Sequence, residues 1–228
     1  MFFDMNYLLW VLIPSLVLSG LAQLFVRGAY SKWSNVRNSS NATGLTAGQI
    51  ILQRTDVRGV QFEGTPGQLT DHYDPQSHIV RISQGNATVP SVAAMAIVAH
   101  ELGHAQQHQE GSILIQARNL LVPAVQFSPT IGYFMIILGL MLGLTGLFQL
   151  GIILFGLMVV FMILTLPVEI DASMRGMRLL RQSGLLAAEQ DAQGARQVLT
   201  AAALTYFAAA ITSVLQLLYF MSLGRSRE

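Results

Sequence analysis

The amino-acid sequence predicts a mainly α-helical, polytopic membrane protein. We expect about four transmembrane helices and an α+β region that contains a small β-hairpin or sheet. Of the 228 residues, 52% are hydrophobic and only 11% are charged, whereas soluble domains carry about a quarter charged residues. The mean hydropathy is +0.50, so much apolar surface must face something other than water. We therefore expect a lipid bilayer as a partner.

The charge balance and the cysteine count exclude several function classes. The formal net charge is +1, which argues against a nucleic-acid partner, because phosphate binding needs a concentrated basic surface. The chain has no cysteine, so disulfides, cysteine metal sites and thiol catalysis are excluded.

Long uncharged runs give the positions of the predicted spans, since about 20 apolar residues cross the hydrocarbon core. Residues 1–26 contain the first run, "YLLWVLIPSLVLSGLAQLFV". Residues 131–166 form a run that is too long for one span, so we predict a hairpin with a tight turn near "GLTGLFQLG". Residues 198–223 form the fourth span, and residues 224–228 a short tail.

Lysine and arginine predict the orientation, because they are enriched in short cytoplasmic loops. The turn of the predicted hairpin has none, whereas both larger polar regions, 27–130 and 167–197, carry several close to the spans. We therefore expect a multi-pass protein whose two polar regions are cytoplasmic. The tail disagrees with this orientation, because it carries Arg225 and Arg227 but would lie on the opposite side of the membrane from the cytoplasm.

The region 27–130 contains both helix and strand signals. "GLTAGQIILQRT" has helical spacing, and "GVQFEG" and "HIVRIS" are β-leaning segments separated by a stretch rich in turn formers. We predict a small sheet or hairpin there. Ser91 is a good N-cap for a helix that runs to about Gln109, with Gly111 as its C-terminal stop.

That helix carries the segment "HELGH", which matches the H-E-x-x-H motif. His100 and His104 lie one turn apart on one helix face, so both imidazoles can reach a single Zn²⁺. Glu101 points to the side of that face, where its carboxylate can act as general base on a zinc-activated water. Gly103 leaves room beside the site. The motif therefore predicts metal-assisted hydrolysis of peptide bonds.

The third ligand is expected elsewhere in the chain. His108 shares the face of the two motif histidines, but two helical turns separate it from His100 by about 12 Å, too far for one ion. Glu169 in "LPVEIDAS" follows the predicted hairpin, which returns the chain to the same side of the membrane. A carboxylate this close to the membrane is costly unless it has a partner. We expect one catalytic zinc, with Glu169 as its third protein ligand.

Several blocks of the sequence, in order, resemble the YugP-type membrane-bound bacterial neutral zinc metallopeptidases. The blocks are "MFFDMNYLL", "GQLTDHYDPQSHIVRIS", "VAAMAIVAHELGHAQQHQEG" and "LTLPVEIDAS". The resemblance implies a zincin-like catalytic region and a peptidase anchored in the bacterial plasma membrane. It also implies His100, His104 and Glu169 as zinc ligands and Glu101 as the catalytic residue.

The chain is more distantly similar to the HtpX-type and CAAX-prenyl membrane proteases, which also combine HExxH with a later glutamate, a gluzincin-like arrangement. Those relatives carry an aspartate four residues after the ligand glutamate, as the partner of a histidine. Here Ser173 holds that position, and the acidic residue is Asp171. We expect Ser173 to support the site if the helix is regular after Pro167, because it then shares a face with Glu169, and Asp171 if the backbone there is irregular.

Other candidates for substrate or oxyanion contacts have plainer explanations. His72 or Tyr73 could stabilise the oxyanion, although their segment also reads as a turn capped by neighbouring aspartates. Arg175 could bind a substrate carboxylate, but it also suits a cytoplasmic anchor. "HIVRIS" could be an edge strand for a peptide substrate.

These observations favour a membrane-anchored zinc endopeptidase that acts on a peptide or membrane-protein substrate. One alternative is an intramembrane site-2-type protease, but the apolar run before His100 is too short to span a membrane. The other is a membrane scaffold or assembly factor with a structural zinc. Structural sites normally have four protein ligands, and the sequence offers three good ones. The sequence does not indicate the oligomeric state.

Overall fold

The computed structural model describes residues 4–225. Residues 1–3 of the first predicted span and residues 226–228 of the predicted tail, including Arg227, lie outside the described residues. The elements in chain order are α1 (Met5–Tyr7), a π-helical turn (Leu8–Leu12), α2 (Ile13–Ser34), α3 (Gly44–Arg54), β1 (Gln61–Thr65), β2 (His72–Asp74), β3 (Ile79–Ser83), α4 (Gln84–Thr88), α5 (Val92–Gln109), α6 (Ile113–Val125), α7 (Ser128–Leu142), α8 (Thr145–Gln182) and α9 (Glu189–Arg225).

The chain divides into two compact units. The first, here called the helical unit, comprises residues 4–22, 116–167 and 205–225. Its large apolar side chains are exposed to an extent that is unusual in water: Trp10 is 71% exposed, Phe134 68% and Ile153 67%. Such a surface suits lipid, which solvates apolar side chains.

Three helical stretches are long and apolar enough to cross a membrane: Met5–Ser34, α8 and α9. A fourth exists if α6 and α7, which bend by 50° at their junction, count as one broken span. The predicted fold class is therefore confirmed: a mainly α-helical chain with three or four candidate spans and a small sheet.

Within the helical unit, α7 and α8 form a hairpin whose turn lies at Gly143. This residue has φ +68°, a left-handed conformation that favours glycine. The two helices approach closely at Gly132 and Gly151: a Cβ on Gly151 would lie 2.7 Å from the Gly132 carbonyl oxygen. Small residues at this crossing let the two backbones touch.

The second unit, here called the mixed unit, comprises residues 23–115 and 168–204. Its core packs α5 against α3, the sheet and the second half of α8, with fully buried residues such as Ile51, Ile82, Met95 and Leu179. The two units divide the chain at other positions than the segments predicted from the sequence. Residues 116–130, the end of the predicted segment 27–130, group with the helical unit. Residues 198–204, the start of the predicted fourth span, group with the mixed unit.

The sheet has the order β1-β3-β2, with β1 parallel and β2 antiparallel to β3. The expectation that "HIVRIS" is an edge strand is therefore wrong. Both sides of β3 are already paired, because β1 reaches it from one side and the β2–β3 turn folds β2 onto the other. The edges are β1 and β2.

Helix α8 continues through Pro167 without a break as far as Gln182. The backbone after Pro167 is thus regular. Residues four apart on a regular helix share one face, so Glu169 and Ser173 lie on the same face of α8.

A Gly151→Ala substitution should destabilise the hairpin, because its methyl group would collide with backbone atoms of α7. Overpacking of this kind costs about 1–3 kcal/mol, and we expect a lower thermal midpoint of the full chain in detergent. Gly156→Ala on the same helix is the matched control, since a Cβ there meets no atom within 4 Å. Equal midpoints for the two variants would contradict the close crossing.

Candidate metal centre

Helix α5 carries the HELGH segment through the core of the mixed unit. Ser91 caps its start, where the Ser91 Oγ accepts the Ala94 N–H at 3.1 Å, and Gly111 follows its end with φ +62°. Along this helix His100 and His104 stand one turn apart, with their ring centroids 4.7 Å from each other. The helix therefore presents two imidazoles side by side.

The carboxylate of Glu169, from α8, completes the group. Its Oε2 lies 3.3 Å from His100 Nε2 and 3.5 Å from His104 Nε2. Two ligands held about 2.05 Å from a tetrahedral ion are about 3.3 Å apart, so these separations fit a single zinc. Among residues 4–225, this is the one group of three or more histidine, aspartate or glutamate side chains that could hold a metal ion.

The carboxylate itself indicates that a cation belongs there. Glu169 is buried, and its Oε2 has no hydrogen-bond donor of acceptable geometry. A buried carboxylate oxygen without a partner is strongly unfavourable. A metal ion between the two imidazoles and this oxygen would satisfy it, and the nitrogen and oxygen donors are those that zinc prefers.

Two glycines let α5 and α8 approach closely enough to form this group. A Cβ on Gly103 would lie 2.4 Å from the Ala172 carbonyl oxygen, and a Cβ on Gly176 would lie 2.9 Å from the Ala99 carbonyl oxygen. Real Cβ atoms do not approach backbone oxygens so closely. The sequence suggests that Gly103 leaves room beside the site. In the structure the backbone of α8 at Ala172 occupies that room.

Glu101 is buried on the side of α5 that faces β2. Its Oε2 accepts the backbone N–H of Tyr73 at 2.9 Å. Tyr73 lies on an edge strand, so this N–H is available to the carboxylate rather than to the sheet. The sequence gives no signal for this contact, because it depends on how β2 packs on α5.

The carboxylates around His104 change its acid–base behaviour. Burial alone would lower the pKa of His104, but the Glu169 carboxylate and the charge of Glu101 outweigh burial and raise the pKa above its ordinary value. The site thus favours a positive charge between these side chains. A proton or a metal ion can supply that charge.

The outer nitrogens of the two imidazoles have different partners. His100 Nδ1 lies 3.2 Å from the Ser173 hydroxyl, whereas His104 Nδ1 lies 3.0 Å from the Gln107 Oε1. Asp171 reaches the site indirectly, because its Oδ2 accepts a hydrogen bond from the Gln107 amide at 2.8 Å. The structure thus places both Ser173 and Asp171 around the group. Gln107 was not among the residues expected from the sequence, although its position three residues after His104 puts it on the same face of α5.

The expected substrate or oxyanion contacts are distributed differently. The His72 ring is exposed, and its Nδ1 lies 2.8 Å from the Thr70 carbonyl oxygen. The Tyr73 hydroxyl lies 3.0 Å from His78 Nδ1 and 3.5 Å from His108 Nδ1. Burial and the charge of the next residue, an aspartate, raise the pKa of Tyr73, so its phenol stays protonated at neutral pH.

Arg175 is occupied by two carboxylates. Its Nε donates to Asp171 at 2.7 Å, and its Nη1 donates to Glu110 at 2.6 Å. The neighbouring Arg178 is exposed. Arg175 therefore joins the end of α5 to α8, and its charge is neutralised where it stands.

The chain is similar to known proteins over most of its length. A family model described as "Putative neutral zinc metallopeptidase" matches residues 8–225. A curated relative, "Putative membrane protease YugP" of Bacillus subtilis (strain 168), is 38% identical over 213 residues, which are 93% of this chain and 94% of the relative. No solved structure matches the chain.

We expect Gly103→Ala to abolish metal binding by the full chain. The added methyl group would push α8 away from α5 at Ala172 and withdraw Glu169 from the imidazoles. Metal content after dialysis against zinc, measured by mass spectrometry, checks this. Gly85→Ala is the control, because a Cβ at that glycine meets no atom within 4 Å. A folded Gly103→Ala variant with full zinc content would refute the argument.

Proposed function

The chain belongs to the family described as "Putative neutral zinc metallopeptidase", and from this premise we propose that it is a membrane-anchored zinc endopeptidase with Glu101 as general base. One observation carries the proposal. The buried Glu169 carboxylate of α8 lies 3.3 and 3.5 Å from the Nε2 atoms of the two α5 histidines, separations that fit two ligands of one zinc ion. A second buried carboxylate, that of Glu101, belongs to the residue after His100.

In this proposal His100, His104 and Glu169 would hold one zinc ion. Bound zinc acts as a Lewis acid that lowers the pKa of water and polarises the substrate carbonyl. Three protein ligands leave an open position, as in catalytic sites, whereas structural sites are normally closed by four. This ligand count favours an enzyme over a scaffold with a structural zinc.

Glu101 then moves the protons of the reaction. Its carboxylate accepts a proton from the attacking water as the new C–O bond forms at the substrate carbonyl. It delivers the same proton to the amine nitrogen as the C–N bond breaks. The Tyr73 N–H, which donates to Glu101 Oε2, holds the carboxylate in place between these two transfers.

Of the three candidates for substrate contacts, Tyr73 has the most support. Its phenol remains protonated and can donate to a developing oxyanion. His72 is turned towards the Thr70 carbonyl, and the Arg175 charge is neutralised by two carboxylates. Since β2 is an edge strand beside Glu101, we propose that an extended segment of a peptide or membrane protein lies along it.

We also propose a location for the enzyme. The helical unit is embedded in a bacterial plasma membrane with several spans, and the loops rich in lysine and arginine face the cytoplasm. An intramembrane site-2-type mechanism has less support, because α5 belongs to the mixed unit and is not among the candidate spans.

Replacement of Glu101 by Gln should lower the rate of casein cleavage by about 10²–10⁴-fold, because the amide cannot accept the proton of water. Zinc content should be unchanged, since Glu101 does not ligate the metal. Glu63→Gln, a change at an exposed glutamate on β1, should leave both quantities at the parent level. Full activity of the Glu101→Gln variant would end the proposal.

Thiol labelling tests the orientation, because the natural chain has no cysteine. Gln76→Cys in the exposed β2–β3 turn and Leu144→Cys at the exposed tip of the α7–α8 hairpin each introduce one thiol. With a membrane-impermeant maleimide, Leu144→Cys should react in intact spheroplasts, whereas Gln76→Cys should react only after permeabilisation. The reverse pattern would invert the orientation.

A further inference from the structure

We propose that Gln107 is a positioning residue that holds His104 as a metal ligand, in the tautomer that leaves Nε2 free for the ion. The inference rests on the zinc site of the proposed function and goes beyond it. It concerns a residue outside the HExxH motif that is not one of the three candidate zinc ligands.

The amide of Gln107 has a single chemically consistent orientation. The side chain is completely buried, and its Nε2 donates to the Val168 carbonyl oxygen at 2.9 Å and to Asp171 Oδ2 at 2.8 Å. Both partners are pure acceptors, so both amide protons are used there. The Oε1 must therefore face His104 Nδ1, 3.0 Å away.

This orientation fixes the proton on the imidazole of His104. A carbonyl oxygen only accepts, so His104 Nδ1 carries the proton and donates it to Gln107. In the neutral ring Nε2 then has a lone pair, and that nitrogen is the one 3.5 Å from Glu169 Oε2. Gln107 thus prepares His104 for metal binding before the ion arrives.

The same amide also holds the helix that carries the third ligand. Val168 precedes Glu169, and Asp171 follows it by two residues, so Gln107 links the ring of one ligand to the backbone beside the other. Asp171 is held in turn by Arg175, and Arg175 by Glu110. Because Gln107 is uncharged and Arg175 neutralises Asp171, the Nδ1 side of His104 is held by a neutral amide rather than by a carboxylate.

His100 has a weaker support. Its Nδ1 contacts the Ser173 hydroxyl at 3.2 Å, a group that can rotate and can either donate or accept. The two imidazoles are therefore held unequally, and loss of the Gln107 contact should reduce zinc affinity more than loss of the Ser173 contact.

The test measures zinc affinity by chelator competition on the full chain in detergent, in a Glu101→Gln background so that activity plays no part. Gln107→Leu keeps the volume and removes all three hydrogen bonds. We expect a roughly 10–100-fold loss of zinc affinity, the range typical of such supporting partners. Ser173→Ala should lose less, and Gln106→Leu, one residue earlier on α5, should bind zinc like the parent.

A rescue variant separates positioning from general stability. In Gln107→Glu combined with Asp171→Asn, the roles of amide and carboxylate are exchanged. The new amide can donate to the new carboxylate, which accepts the proton of His104 Nδ1. The Val168 carbonyl oxygen, which accepts from Gln107 Nε2 in the parent, has no such donor in either Gln107→Glu variant. The double variant should therefore recover part of the lost zinc affinity and bind zinc more tightly than Gln107→Glu alone, in which two carboxylates face each other. Thermal midpoints without zinc, measured in parallel, report any loss of folding stability that is independent of the metal.

Two results would overturn the inference. One is a folded Gln107→Leu variant that binds zinc as tightly as Gln106→Leu. The other is a double variant that binds zinc no better than Gln107→Glu alone, a comparison that also decides the matter if the leucine variant does not fold. Failure of the parent chain itself to bind zinc would instead refute the proposed function.

Discussion

The close crossing of α5 and α8 is the constraint on which the candidate site depends. Neither helix carries a complete site, since α5 offers two imidazoles and Glu101, and α8 offers Glu169. They combine only because Gly103 and Gly176 present no Cβ to the backbone carbonyls of the opposite helix. At that separation Glu169 Oε2 comes within 3.5 Å of both Nε2 atoms. A larger separation would leave a histidine pair on one helix and an isolated buried carboxylate on the other.

The electrostatics of the site follow from that crossing. The crossing brings the Glu169 carboxylate of α8 to the two imidazoles and the Glu101 carboxylate of α5. The residues of α5 around them are mostly apolar and buried. Such a group is costly without a positive charge among its members. The raised pKa of His104 has the same origin, since the carboxylates that favour a proton there also favour a metal ion. A proton and a metal ion therefore compete for the same position. Burial disfavours an isolated carboxylate or an isolated cation, but it strengthens the attraction between the carboxylates and a cation bound between them.

Local sequence signals predict the parts of this molecule that local physics controls. A capped helix with two imidazoles on one face follows from Ser91, Gly111 and the spacing of the two histidines. The α7–α8 hairpin is indicated by a long uncharged run that contains glycines. Glu169 could be proposed as a partner because that hairpin returns the chain to the same side of the membrane. Three features could not be predicted: the central position of β3, the Tyr73 N–H at Glu101, and Gln107 between His104 and α8. Each depends on which segments pack together, and Gln107 resembles any other polar residue of a helix until α8 is placed against it.

The central claim is that Glu169 joins His100 and His104 around one catalytic zinc, and a structure of the zinc-bound full chain tests it most directly. The account predicts the Nε2 atoms of both histidines at about 2.0–2.1 Å from the ion and a Glu169 carboxylate oxygen at about 2.0–2.2 Å. It also predicts one position open to solvent, with Glu101 beside it and outside the ligand set. A zinc ion bound without Glu169, or closed off by a fourth protein ligand, would contradict the account.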